Sequence, residues 1–172
     1  MALSQVLVTV GTTNFDELIH TIQSEEVLKI LKSKGCKKFI IQYGNGQIIP
    51  HIEHGDDFTV DSYDYKSSLA EDIKSSDLVI SHAGAGTSLE VLEAGKLLVT
   101  VVNESLMDNH QLELADKFYE QGYSLYCVPN DLTATLKSLT PDRIKQLKPF
   151  PPSCTYKFND YLESVLGFRK IN

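Results

Sequence analysis

Apolar and polar positions alternate between two periods along this chain. Gln5 to Val10 (QVLVTV) is a β-branched apolar run closed by Gly11 and reads as a buried strand. Asp16 to Lys32 then carries Leu18, Ile19, Ile22, Val27, Leu28 and Leu31 at helical spacing and reads as one amphipathic helix. Lys38 to Tyr43 predicts a second strand, stopped by Gly44-Asn45-Gly46, and Phe58 to Ser62 a third, ahead of a short helix around Ser67 to Lys74. The pattern is sharpest from Asp77 to Val102. There a strand (Asp77 to Ser81), a glycine loop, a helix (Thr87 to Ala94), Gly95 and a strand (Leu97 to Val102) make a βαβ crossover with short connections. A helix over Asn109 to Gln121, with Leu112, Ala115, Phe118 and Tyr119 on one face and Gly122 as its stop, leads into a strand at Ser124 to Val128.

Continuous apolar strands separated by amphipathic helices predict an α/β fold: a Rossmann-like, mostly parallel sheet with helices on both faces. Ligands of such sheets bind beyond the carboxyl ends of the strands, so function is expected in the loops after Val10, Ser81 and Val102. After Pro129 a short helix near Leu132 to Leu139 is followed by Lys148-Pro149-Phe150-Pro151-Pro152, a stiff extended stretch that resembles an internal linker. Beyond it, Tyr156 to Arg169 places Phe158, Tyr161, Leu162, Val165 and Leu166 on one helical face. That face either folds back on the sheet or docks on a partner. The chain thus divides into a domain over residues 1–150 and a C-terminal segment over 151–172, with no internal repeat.

Length changes the picture little: 172 residues fit one domain. Hydrophobic residues at 42% and charged residues at 23% exclude disorder and low-complexity architectures. The net charge of -7 repels a polyphosphate backbone, so nucleic acid is not an expected partner and any phosphate must be held locally. Cys36, Cys127 and Cys154 are widely spaced and odd in number, which suits free thiols in a reducing, cytoplasmic setting. The N-terminus has no basic n-region, and no run approaches the about 18 apolar residues a membrane span needs.

Three loops carry candidate chemistry. Gly11-Thr12-Thr13-Asn14-Phe15 follows a buried strand and opens a helix, so its N–H groups and hydroxyls could hold an anion, or simply form a tight turn. Ser81-His82-Ala83-Gly84-Ala85-Gly86-Thr87-Ser88 is denser: two glycines allow close approach to a phosphate, and Thr87 and Ser88 can cap the helix behind it. His82 could bond that phosphate or fix the loop by bonding backbone. The third loop, Asn103 to Gln111, gathers the hydrogen-bonding side chains a sugar requires, although Asp108 could also be a plain helix cap. Glu90, one turn into the helix after the glycine loop, could accept two ribose hydroxyls or be a solvated helix glutamate.

Competing chemistries fit less well. Gly84-Ala85-Gly86 starts a dinucleotide fingerprint and Glu104 stands about 20 residues on, but Leu89 occupies the third glycine position. No Gly-Lys-Ser/Thr follows at Walker spacing, and no Gly-x-Ser-x-Gly elbow is present. His51, His54, Asp56 and Asp57 lack paired distal ligands and read as a surface loop, not a metal site.

Val8-Thr9-Val10-Gly11-Thr12-Thr13, Ser81 to Gly86, Glu90 and Asp108-Asn109-His110-Gln111 together resemble one family in order and spacing. This is the cytosolic catalytic subunit of the eukaryotic UDP-N-acetylglucosamine (UDP-GlcNAc) transferase that adds the second sugar to dolichol-diphosphate-linked GlcNAc. The similarity runs from the first strand to Lys148-Pro149-Phe150, and Ser105 to Gln111 is its most specific run. The same loops are similar to the C-terminal, donor-binding half of the bacterial lipid II-forming glycosyltransferase, a GT-B enzyme. The resemblance implies that Gly11, Thr12 and Thr13, with His82, Ala83, Gly84, Ala85 and Gly86, hold the diphosphate beside Thr87. It likewise implies Glu90 on the ribose and His110 and Gln111 at the GlcNAc, with Asn109 also in the donor site.

The implied reaction is an inverting transfer giving a β1,4 linkage, with no cofactor and no metal, because helix N-termini can stabilise the departing UDP. His82 and Asp108 are conceivable bases, and neither is assigned. One domain is half a GT-B enzyme, so a membrane-anchored acceptor-binding subunit is implied. It would recruit the chain to the cytosolic face of the endoplasmic reticulum and contact Phe158, Tyr161, Leu162, Val165 and Leu166. A non-catalytic nucleotide-sugar-binding subunit and a small dinucleotide-binding module are the alternatives.

Overall fold

The computed structural model describes residues 2–103 and 109–152; for residues 109–111 it describes the backbone only. Six strands form one sheet: β1 (Gln5–Thr9), β2 (Lys38–Gln42), β3 (Thr59–Tyr63), β4 (Leu78–His82), β5 (Leu97–Val101) and β6 (Leu125–Cys127). Their order is β3-β2-β1-β4-β5-β6, and every neighbouring pair is parallel. The chain runs outward from β1 to β3, then returns to place β4 on the other side of β1. That reversal is the topological switch point, where the loops after two adjacent strands diverge and leave a crevice.

Strand alternation builds two cores. Val6, Val8, Phe39, Ile41, Leu78, Ile80, Val99 and Val101 face one side, under helices α1 (Asp16–Ile22), α2 (Glu25–Ser33) and α6 (Leu132–Ser138). Leu7, Ile40, Val79 and Leu98 face the other, under α3 (Ala70–Ser75), α4 (Ala85–Glu93) and α5 (Asn109–Glu120). The residues of β4 and β5 are buried throughout, which is why both strands read as continuous apolar runs. The edge strand β3 is largely exposed.

The structure corrects several boundaries. The single helix expected over Asp16 to Lys32 is two, broken at Gln23 and Ser24. Ser24 adopts extended ψ 142° and its Oγ accepts the Val27 N–H at 3.4 Å, so it caps α2, and both helices bury their own apolar faces in one core. The fourth helix begins at Ala85, not Thr87, with Gly84 as its N-cap, so Thr87 and Ser88 lie inside it and do not cap it. A helix α7 (Pro141–Lys145), absent from the sequence expectations, follows Thr140, whose Oγ1 accepts the Arg143 N–H at 3.2 Å; the Thr-Pro pair is its start signal.

Lys148 to Phe150 is no free linker. The Lys148 N–H donates to the Gly122 carbonyl at 2.8 Å, and the Phe150 ring packs edge-on against Tyr123 and Phe118, centroids 5.1 and 6.0 Å apart. The amphipathic stretch Tyr156 to Arg169 and Cys154 lie outside the described residues. Cys36 and Cys127 are buried free thiols. Among the described residues no helix is long and apolar enough to cross a membrane, and no group of three or more His, Cys, Asp or Glu side chains is placed to hold a metal.

Candidate functional site at the switch point

The loops after β1 and β4 meet because those strands pair, Thr9 opposite Ser81. From one side comes Gly11, at φ +62°, a left-handed conformation that favours glycine. From the other comes Gly84, which leads directly into α4. Between them lies the His82 imidazole. A Cβ at Gly11 would stand 2.9 Å from His82 Cε1, and one at Gly84 would press into Nε2 and lie 2.8 Å from Cε1. Neither glycine can be exchanged for a larger residue without displacing the ring. His82 is only 9% exposed, and its Nδ1 is enclosed without a hydrogen-bond partner among the described residues. Burial pushes the imidazole below its ordinary value near 6.5, opposed in part by the Thr9 backbone, so the ring is held neutral.

Helix α4 presents an open amino end to this crevice. Its N-cap, Gly84, has no side chain to cap the first-turn N–H groups, no described residue caps them, and its first turn holds no acidic residue. Ala85 and Gly86 are exposed, and space around Gly86 is open to at least 4 Å. Small residues, unspent donors and the positive end of a helix dipole are what an anionic oxygen needs for close approach.

The β1 loop is stiffened from within and from its neighbour. Thr13 spends both its N–H (3.2 Å) and its hydroxyl proton (2.8 Å) on the Val10 carbonyl, so its side chain offers an incoming anion no donor in this conformation. Asn45, from the turn after β2, donates its Nδ2 to the Thr12 carbonyl at 3.0 Å and its backbone N–H to the Thr13 carbonyl at 3.2 Å. Asp16 receives the N–H groups of Gln47 and Ile48, closing that turn onto α1. Neither Asn45 nor Asp16 was singled out from sequence; the Gly-Asn-Gly turn was the available signal.

Gly11, Thr12, Thr13, His82, Ala83, Gly84, Ala85, Gly86 and Thr87 therefore gather at one crevice. Glu90 stands exposed on the same helix. Asn109 opens α5 beyond β5, and the side chains of Asn109, His110 and Gln111, with all of Asp108, lie outside the described residues. Two concavities, of about 480 and 770 Å3, open instead at the amino ends of the strands, beside Asp77 and Leu97 and beside Lys38 and Thr59. They are remote from the switch point.

The chain is similar to known proteins in sequence and in fold. The chain is 46% identical over 149 residues to human UDP-N-acetylglucosamine transferase subunit ALG13, covering 87% of this chain but 13% of that protein. It is 34% identical to the Saccharomyces cerevisiae subunit of the same name, covering 94% of this chain and 95% of the yeast protein. A solution structure of ALG13 superposes with TM-score 0.67 at 31% identity, covering 94% of this chain and 96% of the other. Acinetobacter baumannii MurG superposes with TM-score 0.68 at 22% identity, covering 94% of this chain and 50% of MurG, so the two share a fold. The expected architecture, one Rossmann-like half of a GT-B enzyme, is thus the one found. The model of the glycosyltransferase family 28 C-terminal domain matches residues 5–160, nearly the whole chain, and the chain belongs to that family.

Proposed function

We propose that this chain is the donor-binding half of a two-chain glycosyltransferase that takes GlcNAc from UDP-GlcNAc. The observation that carries the reading is the uncapped amino end of α4, flanked by Gly84 and Gly11 at the switch point. A diphosphate seated there would meet first-turn N–H groups at close range, and the helix dipole would stabilise the charge that grows on UDP as the sugar leaves. Glu90 on α4 would take ribose hydroxyls, and His110 and Gln111 at the start of α5 the GlcNAc. The names of the human and yeast relatives support the same donor sugar.

The acceptor is dolichol-diphosphate-GlcNAc and the product linkage β1,4, formed by one displacement at the anomeric carbon. The residue that removes the proton from the acceptor 4-hydroxyl is not assigned: His82 is wedged between two glycines and only 9% exposed, which disfavours it, and Asp108 lies outside the described residues. The partner is a membrane-anchored acceptor-binding subunit at the cytosolic face of the endoplasmic reticulum. It contacts Phe158, Tyr161, Leu162, Val165 and Leu166, so Tyr161→Asp with Leu162→Asp releases the chain from its partner while leaving it folded; continued co-purification defeats that placement.

Transfer of labelled GlcNAc from UDP-GlcNAc to a dolichol-diphosphate-GlcNAc analogue, with and without the partner, tests the whole reading. Transfer with both subunits, much reduced in Glu90→Ala, is the expected result. No transfer from two demonstrably associated proteins rejects it in favour of a non-catalytic nucleotide-sugar-binding subunit.

A further inference from the structure

One layer of the sheet is polar where a buried parallel sheet is ordinarily apolar. Gln42 (β2), Thr9 (β1), Ser81 (β4) and Thr100 (β5) sit side by side in register at the carboxyl ends of four adjacent strands. All are 2% exposed or less. Valine at each would avoid the cost of burying a hydroxyl or an amide, so stability alone does not account for the row.

Its hydrogen bonds point at the nucleotide loop. Thr9 Oγ1 donates to Gln42 Oε1 at 2.5 Å, which commits the hydroxyl proton and turns the oxygen lone pairs toward the chain ahead. That oxygen accepts the Gly11 N–H at 3.1 Å. Gly11 is the residue at φ +62° whose bare Cα lies against the His82 ring. The order is serial: Gln42 orients Thr9, and Thr9 orients Gly11. We propose that Gln42 and Thr9 are positioning residues for donor binding, a buried relay that fixes the β1 loop in the conformation that receives the diphosphate. This rests on the donor-site reading above. Neither side chain is exposed to the crevice, so the relay acts on affinity through Gly11 and not on the transfer step.

The test uses the full chain in complex with its acceptor-binding partner. Thr9→Val keeps the shape of the side chain and removes the relay; Gln42→Met removes the acceptor; Thr9→Ser keeps the hydroxyl. Thr9→Val and Gln42→Met each raise the KM for UDP-GlcNAc about tenfold with little change in kcat, because a buried N–H or O–H loses its partner. The double variant is hardly worse than either single one, since the two act in series, and Thr9→Ser stays near wild type. Hydrogen exchange at the Gly11 amide reports on the relay without any turnover and speeds up in both single variants. Unchanged Gly11 exchange in folded Thr9→Val, or additive KM effects, overturns the relay. A wild-type complex that transfers nothing removes the donor reading and the relay's purpose with it, even where Gly11 exchange responds. Should Gln42→Met fail to fold, the Thr9→Val and Thr9→Ser pair decides alone.

Discussion

The His82 ring occupies the volume that a side chain at Gly84 would need, with Cε1 2.8 Å from where that Cβ would be. Histidine and glycine are thus matched as a pair, and the loop between β4 and α4 has one shape as long as both are present.

Gly84→Ala and Gly86→Ala should therefore behave oppositely. At Gly84 the methyl displaces a buried ring and costs about 1–3 kcal/mol, as overpacking does. At Gly86, inside α4 with nothing within 4 Å, alanine stabilises the helix by about 0.5–1 kcal/mol. The same methyl obstructs the approach to the first-turn N–H groups, so Gly86→Ala raises the melting temperature while weakening UDP-GlcNAc binding. Paired thermal unfolding and titration check this, and a Gly86→Ala protein that binds normally would falsify the placement of the diphosphate.

His82 also makes stability depend on pH. Its folded value lies below its ordinary one, so between the two the unfolded chain binds the extra proton and stability rises with pH. The contribution is fully present above about pH 6.5 and is lost as pH falls through that point toward the folded value. Urea midpoints at pH 7.5 and 5.5 should separate in the wild type by more than in His82→Gln; equal separations contradict the enclosed, neutral ring.

Cys36 and Cys127 are buried, and burial pushes each thiol up to about 11. At pH 8 both are thiols with little exposed surface and should resist alkylation in the native protein. In a Cys154→Ser background, modification should begin only as urea unfolds the domain. Rapid labelling without denaturant would show that the cores open locally.

Phe150→Ala removes two edge-on aromatic contacts, to Phe118 and Tyr123. A loss of about 1–2 kcal/mol is expected, which a denaturation curve reads directly. A true linker residue would change nothing.

The central strands β1, β2, β4 and β5 were legible because parallel strands covered on both faces demand unbroken apolar runs, as in Leu78–His82 and Leu97–Val101. The break at Gln23 and Ser24 was not, since polar residues suit a helix surface as well as a helix cap until Ser24 is seen to accept from Val27. Gly84-Ala85-Gly86 reads as loop by composition, yet Gly86 lies within the first turn of α4. The glycine loops themselves stood out as small, polar punctuation after apolar strands. Gln42 and Thr9 did not: each is one polar residue closing an apolar run, and only the pairing of β1 with β2 brings them together.

The pairing of Val6 with Leu78 joins strands on either side of the chain reversal, with β2, β3 and three helices between them in sequence. During synthesis the ribosome has to release all of that chain, and then α4, before the crevice exists at all. Closing so long a loop is slow, and the proposed donor site is incomplete until β4 has paired with β1. At the proposed site, nucleotide binding therefore requires the pairing of β1 with β4, and a saturating donor would draw the folding equilibrium toward chains that have made it.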